Sequence, residues 1–122
     1  MTKEELKDRT KKFAIRVFKF LNTVEKSESS QVLIRQLLRS ASSVAANYRA
    51  VCRGKSNADF LNKLKIVDEE ADESLFWLEM INDLNLICEK QELKALLTEA
   101  NELVSIFSAA IRTIKSKNNS NS

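Results

Sequence analysis

The sequence predicts an all-α protein, an antiparallel up-and-down bundle of four helices. Its 122 residues include no proline and one glycine, so residues that break helices and shape the tight turns of sheet proteins are scarce. Hydrophobic residues make up 43% of the chain and recur at three- and four-residue spacings in four segments. A chain of this length forms one domain, which we place over residues 1–115. Residues 116–122 have no apolar anchor and are predicted to form a disordered tail.

The first helix is predicted over about residues 3–24. Thr2 and Glu5 have the spacing of a capping box, in which each side chain bonds the backbone N–H of the other residue. One face of this helix is apolar, at Leu6, Phe13, Val17, Phe20, Leu21 and Val24. Ile15 and Phe18 lie off that face and indicate a second buried surface.

A basic stripe runs along another face of the first helix, again in steps of three and four. Its members are Arg9, Lys12, Arg16 and Lys19, followed after a break at Thr23 by Lys26. Two interpretations are open: these cations form a solvated face, or they contact the phosphates of RNA or DNA. We treat the four as candidate nucleic-acid-binding residues and add Arg49 and Arg53 of the second helix as secondary candidates.

The second helix is predicted to follow a cap at Ser29 or Ser30 and to reach Arg53. Its apolar residues step by threes and fours, as in the seam of a helix bundle. They are Ile34, Leu37, Ala41, Val44, Tyr48 and Val51. On the opposite side, arginine pairs flank small residues, which allow another backbone to approach closely while the arginines bind carboxylates. The residues of this side that we assign to a helix or subunit interface are Arg35, Arg39, Ser42 and Ala46.

A short connection joins the second helix to the third. Gly54 is predicted to end the second helix in the left-handed conformation, and Ser56 with Asp59 forms another capping box. A tight hairpin places the acidic residues 68–73 level with Arg35 and Arg39. These acids could hold a divalent cation, but ion pairs with the second helix account for them, so we assign no metal.

The third helix is apolar almost all the way round over residues 75–81. A helix with one solvated face does not have this pattern, so something must cover the outer side. In a small bundle that cover is more often another subunit than a ligand. The candidates for an oligomer interface are Phe76, Trp77 and Met80.

The fourth helix is predicted over about residues 90–115. Apolar residues recur along it at three- and four-residue spacings, from Leu93 to Ile114. Basic residues near its end, Lys115 among them, suit the negative C-terminal end of the helix dipole.

Catalytic and cofactor sites are not predicted. The chain has no histidine, which removes the usual general base and the histidine-based triads. One glycine cannot build a phosphate-binding loop. Cys52 and Cys88 are interpreted as small core residues rather than as a disulfide or a site. No enzymatic activity and no cofactor are therefore assigned.

The N-terminal segment is neither a signal peptide nor a membrane span. Arg16 and Lys19 interrupt its apolar residues, and no small-residue cleavage site follows. We expect a cytoplasmic protein without membrane partners.

Six short segments of the hairpin resemble a known family. They are Ala45-Ala-Asn-Tyr-Arg-Ala50, Arg53-Gly-Lys-Ser56, Asp59-Phe60, Lys63-Leu-Lys-Ile66, Glu70-Ala-Asp-Glu73 and Trp77-Leu-Glu79. In this order they resemble the bacterial 23S ribosomal RNA intervening-sequence proteins. The resemblance implies a small antiparallel four-helix bundle that assembles as a homopentamer. It also implies kinship with accessory proteins of diversity-generating retroelements, which associate with a reverse transcriptase and bind nucleic acid.

Two functions are consistent with these observations. The first is RNA binding or ribonucleoprotein accessory activity through phosphate contacts. The alternative is an oligomeric protein-protein scaffold without a nucleic-acid role. Polar residues at the resembling positions, such as Asn47, Glu70 and Glu73, could equally serve hydrogen bonding within the bundle.

Overall fold

In a computed structural model the chain forms four helices, each packed against two others. The structure describes residues 1–120 and the side chains of residues 1–118. The helices are α1 (Lys3–Leu21), α2 (Glu28–Val51), α3 (Asn57–Asp83) and α4 (Lys90–Ser120). Helices α1 and α3 each pack on both α2 and α4. The predicted four-helix bundle is confirmed, and residues 1–120 contain no strand.

The core lies between the four apolar faces. Its largest fully buried side chains include Phe13, Phe20 and Phe107, and the Tyr48 ring lies 5.8 Å from that of Phe107, centroid to centroid. Burial of the Tyr48 phenol raises its pKa to about 12. No helix in the described residues is long and apolar enough to span a membrane.

The helix starts follow the predicted caps at two of three positions. The hydroxyls of Thr2 and Ser56 accept hydrogen bonds from the backbone N–H groups of Glu5 and Asp59. Helix α2, however, is capped by Ser27 rather than by Ser29 or Ser30. Ser27 has extended backbone angles and lies three residues before Ser30, so the two hydroxyls bond each other's backbone N–H groups.

Gly54 does not have the left-handed conformation predicted for it. Within the described residues no glycine has a positive φ, and Asn85, just after α3, has φ 52°. Gly54 has a different role: its N–H donates to the Val51 carbonyl at 3.0 Å, and an added Cβ would lie 3.2 Å from that oxygen. Glycine is therefore favoured here by the close approach of the chain to the end of α2.

Helix α4 extends past the boundary predicted near residue 115. A disordered tail is expected over residues 116–122, but the helix continues to Ser120. Neither glycine nor proline occurs between residues 90 and 120, and Lys117 in the last turn suits the negative end of the dipole. Residues 121 and 122 lie outside the described residues.

Candidate nucleic-acid interface

Half of the predicted basic stripe on α1 contacts α4. The Arg9 guanidinium donates to both carboxylate oxygens of Glu99, at 2.6 and 2.7 Å, and to Glu102 at 3.2 Å. Two turns later, Arg16 donates to both oxygens of Glu92, at 2.9 and 3.2 Å. The register of these pairs shows that α1 and α4 are antiparallel. We call Arg9, Arg16 and their three carboxylate partners the paired side of α1.

The paired side is partly screened from water. The side chains of Arg9 and Glu99 keep 26% and 15% of their accessible surface. Hydrogen bonds to the carboxylates of Glu99 and Glu92 raise the pKa of Arg9 and Arg16 above the usual arginine value. Bidentate hydrogen bonds between a guanidinium and a carboxylate have a fixed geometry. A phosphate would have to displace these carboxylates to reach the two arginines.

The other two members of the stripe separate from this side. Lys12 pairs with Asp8, one turn earlier on the same helix, at 2.8 Å. Lys19 instead lies at a groove between α1 and α2. The structure thus divides the stripe among α4, the surface of α1 and the α1–α2 groove.

The groove between α1 and α2 has a basic rim. Its volume is about 520 Å³. It is lined by Lys7, Lys11, Ala14, Ile15, Phe18, Lys19, Ser42, Ala45, Ala46 and Arg49. No acidic side chain of the described residues lines it, and its four cations make no ion pair within residues 1–118. We call this feature the basic groove.

The floor of the basic groove is apolar and open to solvent. Ile15 and Phe18, predicted to form a second buried surface, keep 44% and 48% of their accessible surface in the single chain. Opposite them, α2 contributes small side chains. The Ser42 hydroxyl donates to the carbonyls of its own helix at Leu38 and Arg39, so this side of the floor has little polar character.

A second, smaller depression continues the basic groove along α2. It shares Ala46 and Arg49 with the groove and adds Arg53 and Lys63. Of the two secondary nucleic-acid candidates, Arg49 thus lines the basic groove and Arg53 adjoins it. Lys7 and Lys11 were not among the candidates, although the four-residue steps from Lys7 through Lys11 and Ile15 to Lys19 indicate one common helix face.

The arginine side of α2 is engaged with α3 at one position. Arg39 bonds Glu70 at 2.8 Å and also bonds Glu73, which confirms the predicted register of the hairpin. The Arg39 guanidinium lowers the pKa of the Glu73 carboxyl, which also accepts a hydrogen bond from the Trp77 indole at 3.3 Å. Arg35 is exposed and makes no ion pair in the described part of the chain.

Several residues of the hairpin segments that carry the family resemblance form hydrogen bonds within the bundle. Glu70, Glu73 and Trp77 belong to the network around Arg39. The amide of Asn47 donates to the carbonyl and the hydroxyl of Ser43, one turn earlier on α2. These groups already have partners inside the chain.

The outer face of α3 exposes aromatic surface. Phe76 keeps 49% of its accessible surface, and its ring meets Trp77 edge-on with centroids 4.9 Å apart. Trp77 and Met80 are half-buried against the core, and Ile66 on the same helix is 44% exposed. We call Ile66, Phe76, Trp77 and Met80 the aromatic face.

The described residues contain no group of three or more potential ligands that could hold a metal ion. Within the acidic segment of α3, the Asp68 carboxylate accepts a hydrogen bond from Ser108 of α4 at 3.1 Å, while Glu70 and Glu73 bond Arg39. Cys52 and Cys88 are half-buried free thiols. Burial raises the pKa of Cys88, which disfavours the reactive thiolate.

Comparisons with known proteins agree with the resemblance seen in the hairpin. A family model described as 23S rRNA-intervening sequence protein matches residues 3–109. The chain is 30% identical to a protein of unknown function from the S23 ribosomal protein family of Bacteroides thetaiotaomicron VPI-5482, whose crystal structure matches with a TM-score of 0.76. That match covers 86% of this chain and 96% of the other. No curated protein sequence matches significantly.

Proposed function

Because the chain belongs to the 23S rRNA-intervening sequence protein family, we propose that it is a non-enzymatic cytoplasmic protein that binds RNA or assists a ribonucleoprotein through phosphate contacts. The observation that carries the proposal is the basic groove. Lys7, Lys11, Lys19 and Arg49 surround it without an acidic neighbour in its lining. Unpaired cations are available to phosphates, whereas the arginines of the paired side already bond carboxylates.

The physical mechanism is electrostatic. Each lysine that neutralises a phosphate releases a condensed counterion, so affinity falls steeply with salt. Contacts to the backbone position the nucleic acid without reading its sequence. We therefore expect weak, sequence-tolerant and salt-sensitive binding, centred on Lys7, Lys11 and Lys19 and extended by Arg49 and Arg53 along the adjoining depression.

The test is titration of a fluorescent single-stranded RNA at about 0.05 M salt, followed by anisotropy. For single strands, log affinity falls with log salt concentration by about 0.7 per phosphate contact. At that salt concentration, the loss of one lysine contact should therefore lower the affinity about eightfold. Lys7→Glu/Lys11→Glu should therefore weaken binding by well over tenfold. The matched control is Lys65→Glu/Lys94→Glu, which changes the net charge equally at exposed sites on α3 and α4. Equal effects of the two variants, or no binding by the unaltered protein, would refute the assignment.

The proposal includes self-association, with a homopentamer as the expected assembly. It is supported by the aromatic face, where Phe76 lies half-exposed on a helix surface that one chain leaves uncovered. Aromatic residues and methionine are the types enriched in interfaces between subunits. Five copies would raise the formal charge of +3 to +15 and would set several basic grooves on one particle.

Light scattering tests this part directly. We expect a mass five times that of the 13.9 kDa chain and a smaller mass for Phe76→Glu. The control is Ile87→Glu, which alters an apolar side chain that is 70% exposed outside the aromatic face. A monomeric wild-type protein would contradict the proposal.

A scaffold that binds another protein, such as a reverse transcriptase, is the second candidate. The observation in its favour is the Arg39 network, in which Glu70 and Glu73 are already paired within the chain, so this basic residue serves the bundle. The scaffold function assigns partner binding to the arginine side of α2 or to the surface around Trp77, with charge serving only assembly. It predicts that a reverse transcriptase is captured without nucleic acid and that Lys7→Glu/Lys11→Glu leaves this capture intact.

A further inference from the structure

We infer that the basic groove takes single-stranded rather than double-stranded nucleic acid, with an unstacked base lying on Phe18. This inference rests on the proposed function and names the form of nucleic acid that the same site accepts. Phosphate binding alone needs only cations, and the paired side of α1, as described, consists of arginines and glutamates. The groove combines both features, since Phe18 lies in its floor between the cations of its rim.

The floor offers an exposed ring and open space beside it. Phe18 keeps 48% of its accessible surface, so part of its ring is free to contact a flat partner. The small side chains of Ala14, Ala45 and Ala46 leave a depression in front of it. The volume of about 520 Å³ falls in the range of pockets that hold small molecules.

The cations are placed to follow a strand past that ring. Lys7 and Lys11 lie on adjacent turns of α1, and Lys19 directly follows Phe18 in the sequence. The rise of an α-helix places the Cα atoms of Lys7 and Lys19 about 18 Å apart along the axis of α1. Arg49 lies across the groove on α2, so phosphates can be contacted from both edges while a base is held between them.

A duplex would use only part of this arrangement. Its bases are stacked inside the helix, so Phe18 would meet sugar and phosphate instead of a base. Proteins that bind single strands without sequence preference combine a cationic groove with exposed aromatic side chains. A single strand is therefore the occupant that matches both the charge of the rim and the apolar floor.

Phe76 provides the matched comparison within the same chain. It is equally exposed, at 49%, but its helix carries acidic residues nearby in sequence at Glu69, Asp72 and Glu79. Their charges repel phosphates, so we assign Phe76 no nucleic-acid contact. Because the aromatic face is assigned to self-association, the control for a lost exposed apolar side chain is Ile87→Ala, at a residue that is 70% exposed outside that face.

The experiment measures anisotropy for three labelled probes of equal length at about 0.05 M salt. The probes are an oligouridylate of about 12 nucleotides, an abasic strand with the same number of phosphates, and an RNA duplex. Each is titrated with the wild-type protein, Phe18→Ala, Phe18→Leu and Ile87→Ala. Circular dichroism establishes that each variant is folded, and Phe18→Leu keeps the apolar contact with the helices if the alanine variant unfolds.

The inference predicts that Phe18→Ala weakens oligouridylate binding about tenfold, that Phe18→Leu does so by less, and that Ile87→Ala has no effect. The abasic strand should bind more weakly than oligouridylate and should not respond to Phe18→Ala. If the abasic strand or the duplex binds as tightly as oligouridylate, and Phe18→Ala does not change the affinity for oligouridylate, the inference is wrong. Phosphate binding by the groove would still stand. Absence of binding by all three probes overturns the proposed function as well. A change of molar mass in Phe18→Ala, with unchanged RNA affinity, would assign the groove to a second copy of the chain and also overturn the inference.

Discussion

The two sides of α1 carry similar numbers of cations, yet they differ in what those cations contact. Toward α4, Arg9 and Arg16 meet three carboxylates at hydrogen-bonding distance. Toward α2, Lys7, Lys11 and Lys19 border a groove without any acid in its described lining. The paired side links two helices, and the basic groove leaves its charge available to a ligand.

The difference teaches that a count of basic residues does not locate a polyanion site. The side chains matter as much: arginine bonds a carboxylate with two parallel N–H groups, while lysine is a mobile point charge. In this chain arginine occupies the position facing another helix, and lysine predominates at the open rim. Net charge of +3 averages over both situations.

The largest expected contrast concerns stability. Arg9→Ala removes the partner of Glu99, whose side chain keeps only 15% of its accessible surface, so we expect a loss of about 1–2 kcal/mol in the free energy of unfolding. Lys11→Ala at the exposed rim should change it by less than about 0.5 kcal/mol. Urea denaturation followed by circular dichroism measures both. Equal losses would erase the distinction between the two sides.

The second contrast concerns salt dependence. Lys11→Ala should lower the slope of log affinity for single-stranded RNA against log salt by about 0.7, which is about eightfold in affinity at 0.05 M salt. Arg9→Gln should leave the slope unchanged, because Arg9 is held by Glu99 and Glu102. A lowered slope for Arg9→Gln would show that phosphates displace the carboxylates.

A smaller effect on stability is expected when the pH is lowered, at the ion pair between α2 and α3. Arg39 lowers the folded-state pKa of Glu73 below its usual value of 4.5, so near and below that pH the unfolded chain binds more protons than the folded chain. The stability from this pair is therefore present above about pH 4.5 and is lost as the pH falls through the lowered pKa. Since Arg39 is 50% exposed, the contribution is about 0–1 kcal/mol.

Urea midpoints measured between pH 6 and 3 should fall less steeply with decreasing pH for Arg39→Gln than for the wild-type protein. Parallel curves would contradict the pairing.

Local signals in the sequence predicted much of the fold. The caps at Thr2 and Ser56 depend on residues three positions apart, so they can be read directly. The register of Arg39 against Glu70 and Glu73 was predictable because a short connection fixes how α2 and α3 align. The cap of α2 was misplaced because Ser27, Ser29 and Ser30 all have side chains able to cap.

The division of the basic stripe could not be predicted. Arg9 and Glu99 are 90 residues apart in the chain, so their register depends on how three helices pack before α4 returns to α1. The four-residue spacing of Lys7, Lys11 and Lys19 shows that they share a helix face, but it does not show that Ala45 and Ala46 leave a groove across from them. Sequence periodicity defines the face on which a residue lies, whereas packing decides which neighbour that face meets.

The smallest expected effect lies at the border between the two sides, at Lys12. Its side chain is 71% exposed and bonds only Asp8 within the described residues, and this hydrogen bond raises the pKa of Lys12. Asp8→Asn should free Lys12 and remove one negative charge near Lys11, so single-stranded RNA should bind more tightly, by less than the roughly eightfold effect of one lysine contact. Glu28→Gln, an equal charge change at the start of α2, is the control for net charge. If Asp8→Asn and the control strengthen binding equally, Lys12 belongs to neither side. If only Asp8→Asn strengthens binding, the basic surface extends from the groove to Lys12. It then stops at Arg9 and Arg16, where the carboxylates of α4 begin.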